Sequence, residues 1–129
     1  ENCILLSGFS DCGDEVFVEA NQEELVMMSK DMSELSSPPA GELVGITKIG
    51  EELFKMMMQF HESDEKNKLA DYETDALVAV AKVISISCLK IEDLIWSEID
   101  DQDHLKRARE EIYPMVVETD LKYFPNSSK

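Results

Sequence analysis

Apolar positions along this chain follow two regimes. In the first twenty residues they come as short runs, Cys3-Ile4-Leu5-Leu6 and Val16-Phe17-Val18, rich in β-branched and aromatic side chains. Between them, Ser7 to Asp14 carries glycine, serine and aspartate, which is turn chemistry. The pattern predicts an extended arm or a β-hairpin over residues 1–20. A lone two-stranded hairpin is marginal in water, so this arm must dock on its own body or on another chain.

From Asn21 onward the spacing changes to threes and fours, the period of an amphipathic helix. Asn21 with Glu24 reads as a capping box, and Leu25, Met28, Met32 and Leu35 form one stripe. Ser36-Ser37-Pro38-Pro39 ends that helix and starts the next, with Ser37 as N-cap and Pro38 in the first turn. The second helix runs from about Ala40 to His61, its stripe formed by Leu43, Ile46, Leu53, Met57 and Phe60, with Gly45 and Gly50 inside it. A third begins near Asp71 and runs to about Ser87, apolar nearly all round as expected of a buried helix. Shorter helices follow over about 91–99, 102–113 and 115–124, with Pro114 separating the last two.

The predicted fold is therefore all-α, a compact bundle of five to six helices. The expected organisation is an arm or hairpin at 1–20, a helical bundle at 21–124 and a tail at 125–129. No stripe is sustained over enough heptads for a long coiled coil.

Composition sharpens the class. The chain has 129 residues, 28 acidic against 12 basic, and a net charge of −16. Such acidity disfavours direct contact with nucleic acid or an anionic membrane surface. The longest nearly uncharged stretch, Ala76–Leu89, is too short to span a bilayer. Three cysteines make no disulfide framework, although Cys3 and Cys12 are close enough in sequence to pair across a turn. With no visible signal peptide, a reduced intracellular location, cytoplasmic or nuclear, is expected. The start at Glu1-Asn2-Cys3 and the polar stop at Ser128-Lys129 suggest a regulatory piece of something larger.

Candidate chemistry is sparse. No nucleophile elbow, phosphate-binding loop or dinucleotide fingerprint is present. Asp100, Asp101 and His104, and separately His61 and Glu65, have helical metal-ligand spacing, but both sets fall at polar helix ends where caps and solvated charges are the rule. Glu62-Ser63-Asp64-Glu65 and Glu98-Ile99-Asp100-Asp101 loosely resemble the paired acidic motifs of all-α nucleotide pyrophosphohydrolases of the MazG type. That resemblance implies divalent cations held by these carboxylates near a nucleotide triphosphate.

Methionines are the other unusual feature. Met27, Met28, Met32, Met56, Met57 and Met58 fall on the first two predicted helices. Adaptable thioethers are overused on surfaces that accept varied apolar partners. The leading expectation is a non-enzymatic adaptor or regulatory domain without a cofactor. Its apolar groove, lined by Met27, Met28, Met32, Met56, Met58 and Trp96, would take a basic amphipathic helix or peptide of another protein, with a homodimer also allowed. The alternatives are the metal-dependent pyrophosphohydrolase and an acidic mimic that blocks a nucleic-acid-binding protein.

Overall fold

The computed structural model describes residues 1–10, 13 and 15–123, which divide into two compact units, Glu1–Asp93 and Leu94–Lys129. The first unit overturns the predicted bundle: it is a mixed α/β fold built on a five-stranded barrel. The strands are β1 (Cys3–Ser7), β2 (Phe17–Asn21), β3 (Glu24–Ser29), β4 (Gly41–Lys48) and β5 (Ser87–Ile91). Around the barrel they run β1-β4-β2-β3-β5, and β5 returns to β1. All neighbours are antiparallel except β1 and β5, which are parallel with Cys3 opposite Ser87 and Ser7 opposite Ile91. The two apolar runs at the start of the chain are strands, as expected, but they do not pair with each other. β4 lies between them.

Where a helix was expected from Asn21, a hairpin turns instead. Asn21 pairs with Glu24, and the two residues between, Gln22 and Glu23, have φ of 51° and 63°. Two positive φ values in a two-residue loop are the hallmark of a type I′ turn, whose twist matches that of the flanking strands. The helical stripe was produced by a β-bulge. Ala20 pairs with Leu25 and Glu19 with Met27, which leaves Val26 as the extra residue. The bulge resets the alternation, so Leu25 and Met28 both face inward at a spacing of three.

β4 repeats the effect. Leu6 pairs with Leu43 and Ile4 with Thr47, so Val44, Gly45 and Ile46 bulge opposite Leu5. The inward spacing becomes four. Gly45 carries the bend at φ 77°, a region that glycine adopts without steric cost.

Helix begins only at α1 (Glu51–Ser63), which buries Leu53 and packs Met56, Met57 and Phe60 against the barrel core. A π-helical turn, Tyr72–Leu77, then runs into α2 (Val78–Ala81), inside the predicted third helix. That helix stops well before Ser87 because β5 claims the residues there. The helical excursion lies where β4 ends and β5 begins. Its Leu53, Leu77, Val78 and Val80 join Ile4, Leu6, Val18 and Met28 in one core. Asn2 ties this end together: its side-chain oxygen accepts from the Gly50 N–H at 2.9 Å, and its amide donates to the Ser85 carbonyl at 3.2 Å.

The second unit is helical over α3 (Gln102–Arg107), a π-helical segment Ala108–Ile112 and α4 (Tyr113–Tyr123). Asp101 caps its start, accepting from the His104 N–H at 2.8 Å. Pro114 sits in the first turn of α4 without ending the helical run. The helix expected over 91–99 is absent: residues 94–99 form neither helix nor strand. The predicted tail at 125–129, Phe124 and the Cys3–Cys12 pairing lie outside the described residues.

Candidate functional site

All five strands of the barrel have an end at the side opposite the helices. There β1, β3 and β5 finish, and β2 and β4 begin. One cross-strand row, Ile91–Ser7–Glu42–Phe17–Ser29, marks this rim. The backbones crowd together at it. A side chain at Gly41 would run into the Ser7 carbonyl, and one at Gly8 would come within 2.6 Å of the Glu92 carbonyl. Both positions need a residue without a Cβ.

Two loops rise from this rim, and each is fastened by a buried carboxylate. Glu42, at the start of β4, is 2% exposed and receives the Ser10 N–H at 2.8 Å and the Ser10 hydroxyl at 2.7 Å. That grip folds the segment after β1 back over the sheet. Glu19 on β2 is also buried, and receives the Ser36 N–H at 2.8 Å and the Ser37 hydroxyl at 3.0 Å, which holds the segment before β4. A buried charge is tolerable only when hydrogen-bonded, and short charge-assisted bonds supply that here.

The start of the β3–β4 loop is set by local capping. Asp31 accepts the Ser33 N–H at 2.8 Å and so begins a single 3₁₀ turn, Met32–Glu34. Hydrogen bonds from Ser33, through its side chain and then its N–H, hold the Asp31 carboxyl below the usual carboxylate range. Ser29 closes the turn, accepting the Asp31 N–H at 3.0 Å and donating to Glu34 at 2.5 Å.

Between the two loops lies an open cleft of about 450 Å³, lined by Phe9, Phe17, Met32 and Pro39, with Gly13 and Glu15 at its edge. Phe9 and Phe17 meet with centroids 6.5 Å apart and planes tilted by 40°, a usual aromatic pair geometry. Lys90 reaches over from β5, its ammonium 5.8 Å from the Phe9 centroid and 2.5 Å from Glu92. The cleft wall is thus apolar and aromatic, while its edge carries the Glu15 carboxylate, which accepts the Gly13 N–H at 2.7 Å.

The methionines expected to share one groove are spread across different elements. Met28 is inside the barrel core, and Met27 and Met56 pack partly against it. Met58 is exposed on α1 beside Phe54, one helical turn away. Met32 lines the cleft. Trp96 lies half-buried in the second unit. The acidic helical bundle with a Met groove is therefore overturned by the barrel itself.

The metal-dependent alternative fails on a separate finding: among the described residues no group of three or more His, Cys, Asp or Glu could hold a metal ion. Glu62 belongs to the last turn of α1 and Glu65 to the 3₁₀ turn after it, while Asp101 is occupied as a helix cap. Nothing in the barrel singles out a nucleic-acid mimic either.

Sequence reading missed Phe9, Phe17 and Pro39 as lining residues. The available signal was Phe17 alternating with Val16 and Val18 in a strand flanked by turn residues. No known protein-family model matches the chain.

Proposed function

We propose that the rim cleft is a binding site for a small, largely apolar ligand that presents a flat ring to Phe9 and Phe17. One observation carries this reading: about 450 Å³ of open, aromatic-walled space on the outer side of the barrel rim, between two loops that buried carboxylates hold in place. Ligand sites are typically concave, mostly apolar and about 300–1,000 Å³ in volume. Loops on a rigid scaffold are where such sites are usually built.

Charge sets the preference among ring-bearing ligands. The chain carries −16, and the ammonium of Lys90 is engaged by Glu92. A neutral or cationic ligand therefore meets less repulsion than an anionic one, and an aromatic face adds attraction for a cation.

Three probes that share one ring and differ in charge test the reading: tryptamine, indole and indole-3-acetate, titrated into the ¹⁵N-labelled chain. The expected result is millimolar or tighter binding in the order tryptamine, indole, indole-3-acetate, with amide shifts centred on Phe9, Phe17 and Met32. Met32→Ser, at an exposed position, should weaken all three while the rest of the spectrum is preserved. Shifts centred elsewhere, or none at several millimolar probe, would refute the site.

A further inference from the structure

The second unit has no core of its own. From Gln102 to Tyr123 the chain is one helical run, α3, the π-helical segment and α4, and no residue in it is buried. Helices draw most of their stability from packing an apolar face, and little from propensity alone. This run carries such a face with nothing against it. One α turn takes 3.6 residues and one π turn about 4.4, so the π-helical segment puts positions eight apart on one line. Leu105, Arg109 and Tyr113 are aligned in this way, and the regular period of α4 continues the stripe through Val117, Asp120 and Leu121. All six are exposed, Leu105 by 43%, Tyr113 by 65% and Leu121 by 52%.

Two charges therefore stand in an otherwise apolar stripe, Arg109 toward its start and Asp120 toward its end. Neither makes an ion pair or a hydrogen bond among the described residues. They are roughly 16 Å apart along the helix axis, too far to meet each other. Glu110 and Glu111 follow Arg109 in sequence but lie about a quarter and a half turn round from it, off the stripe. A uniformly basic or acidic partner would match one of the two charges and oppose the other. A parallel second copy would set arginine on arginine and aspartate on aspartate. An antiparallel second copy matches both.

We propose that the run α3–α4 is a self-association helix, packed antiparallel on the same stripe of a second copy of this chain. The two-fold axis passes midway between Arg109 and Asp120, so Arg109 of each copy meets Asp120 of the other in two reciprocal pairs. Tyr113 lies beside the axis, and Leu105 and Leu121 lie toward the two ends. The charges fix orientation and register, and the apolar side chains hold the complex. The exposed area of the stripe is on the order of 600 Å² per copy, roughly 1,200 Å² for two, at the lower end of specific interfaces.

Sedimentation equilibrium of the full chain, from micromolar to near-millimolar concentration, tests this. The expected result is a reversible monomer–dimer equilibrium. Arg109→Asp and, separately, Asp120→Arg should each weaken it at least tenfold, because each turns two opposite-charge pairs into two like-charge contacts. Both positions are exposed, so the circular dichroism spectrum and melting temperature of the barrel unit should be unchanged. Mixed in equal amounts, the two variants should associate with each other within a few-fold of the parent strength, since every charge on one stripe then meets its opposite on the other. A monomer at every concentration would overturn the proposal. So would a dimer that neither substitution weakens, or a mixture that associates no better than either variant alone.

Discussion

Glu42 gives the sharpest test of how the cleft is held. Its carboxylate accepts two bonds from one residue, the Ser10 N–H at 2.8 Å and the Ser10 hydroxyl at 2.7 Å, at a position 2% exposed. A hydrogen bond to a charged group contributes about 1.5–3 kcal/mol net. Truncation to Ala removes both, so Glu42→Ala should cost about 3–6 kcal/mol. Glu42→Gln keeps the shape: its oxygen can take the N–H and its amide can donate to the hydroxyl oxygen. Only charge assistance, roughly half the strength, is then lost, which gives a cost of about 2 kcal/mol.

Thermal and urea unfolding read these differences directly. In a unit of this size each 1 kcal/mol moves Tm by about 4–8 °C, so the Ala variant should melt at least 12 °C or so below the parent. Ser10→Ala combined with Glu42→Ala should show a coupling of about 1 kcal/mol or more, the signature of a direct contact. The opposing possibility is that burying the charge costs as much as the two bonds return, as happens for some buried ions. Glu42→Leu decides it: unchanged stability in that variant, or strict additivity with Ser10→Ala, would refute the claim that this carboxylate holds the loop.

Three further predictions follow from the backbone and the core. Replacing Gln22-Glu23 by Asn-Gly, the pair that type I′ turns favour, should raise stability by about 1 kcal/mol, measured by urea unfolding with an unchanged m value. Gly41→Ala forces a methyl against the Ser7 carbonyl backbone and should cost about 3 kcal/mol or more, seen as a lowered melting temperature or as loss of β1–β4 amide protection. Cys88 is a third case: burial, then its neighbours Cys3 and Glu24, push its thiol from an ordinary value near 9 up to about 12. In the native chain it should resist iodoacetamide at pH 8 in peptide mapping, while Cys3, only half-buried, is alkylated. The same shift makes the unfolded chain lose this proton first, so stability should fall as pH rises from about 9 toward 12.

How far the sequence could be read depended on whether local period and final pairing agreed. Residues 72–81 and the run from Gln102 were legible as helix because no strand claims them, although each includes a π-helical segment, Tyr72–Leu77 and Ala108–Ile112. The barrel was not, because its two bulges disguise it. The extra Val26 puts Leu25 and Met28 inward at a spacing of three, and Val44–Ile46 puts Leu43 and Thr47 inward at four. Both spacings belong to helices as readily as to bulged strands. The β2–β3 turn hid for another reason: Gln22-Glu23 contains neither Asn nor Gly, the usual marks of positive φ.

The cleft was obscured in the same way. Its supports, Glu19 and Glu42, are two acids among 28, and nothing local separates a buried carboxylate from a solvated one. Phe9 and Phe17 come together only because Glu42 folds the intervening segment back, a contact across 32 positions that no window of sequence contains.

The parallel pairing of β1 with β5 also bears on the order in which the protein can be made. Cys3 leaves the ribosome long before Ser87, its partner, has been translated. At about 5–20 residues per second, the Cys3-Ile4-Leu5-Leu6 run waits on the order of ten seconds with one edge unmet. During that wait it can pair with β4 alone, and only after Lys48 has emerged. Barrel closure is therefore a late step in synthesis, and the nascent chain spends its early life with its most aggregation-prone strand uncovered. A charged residue at Leu5 would shorten the hazard in the nascent chain, and in the finished molecule it would fall beside the exposed Leu89 of β5.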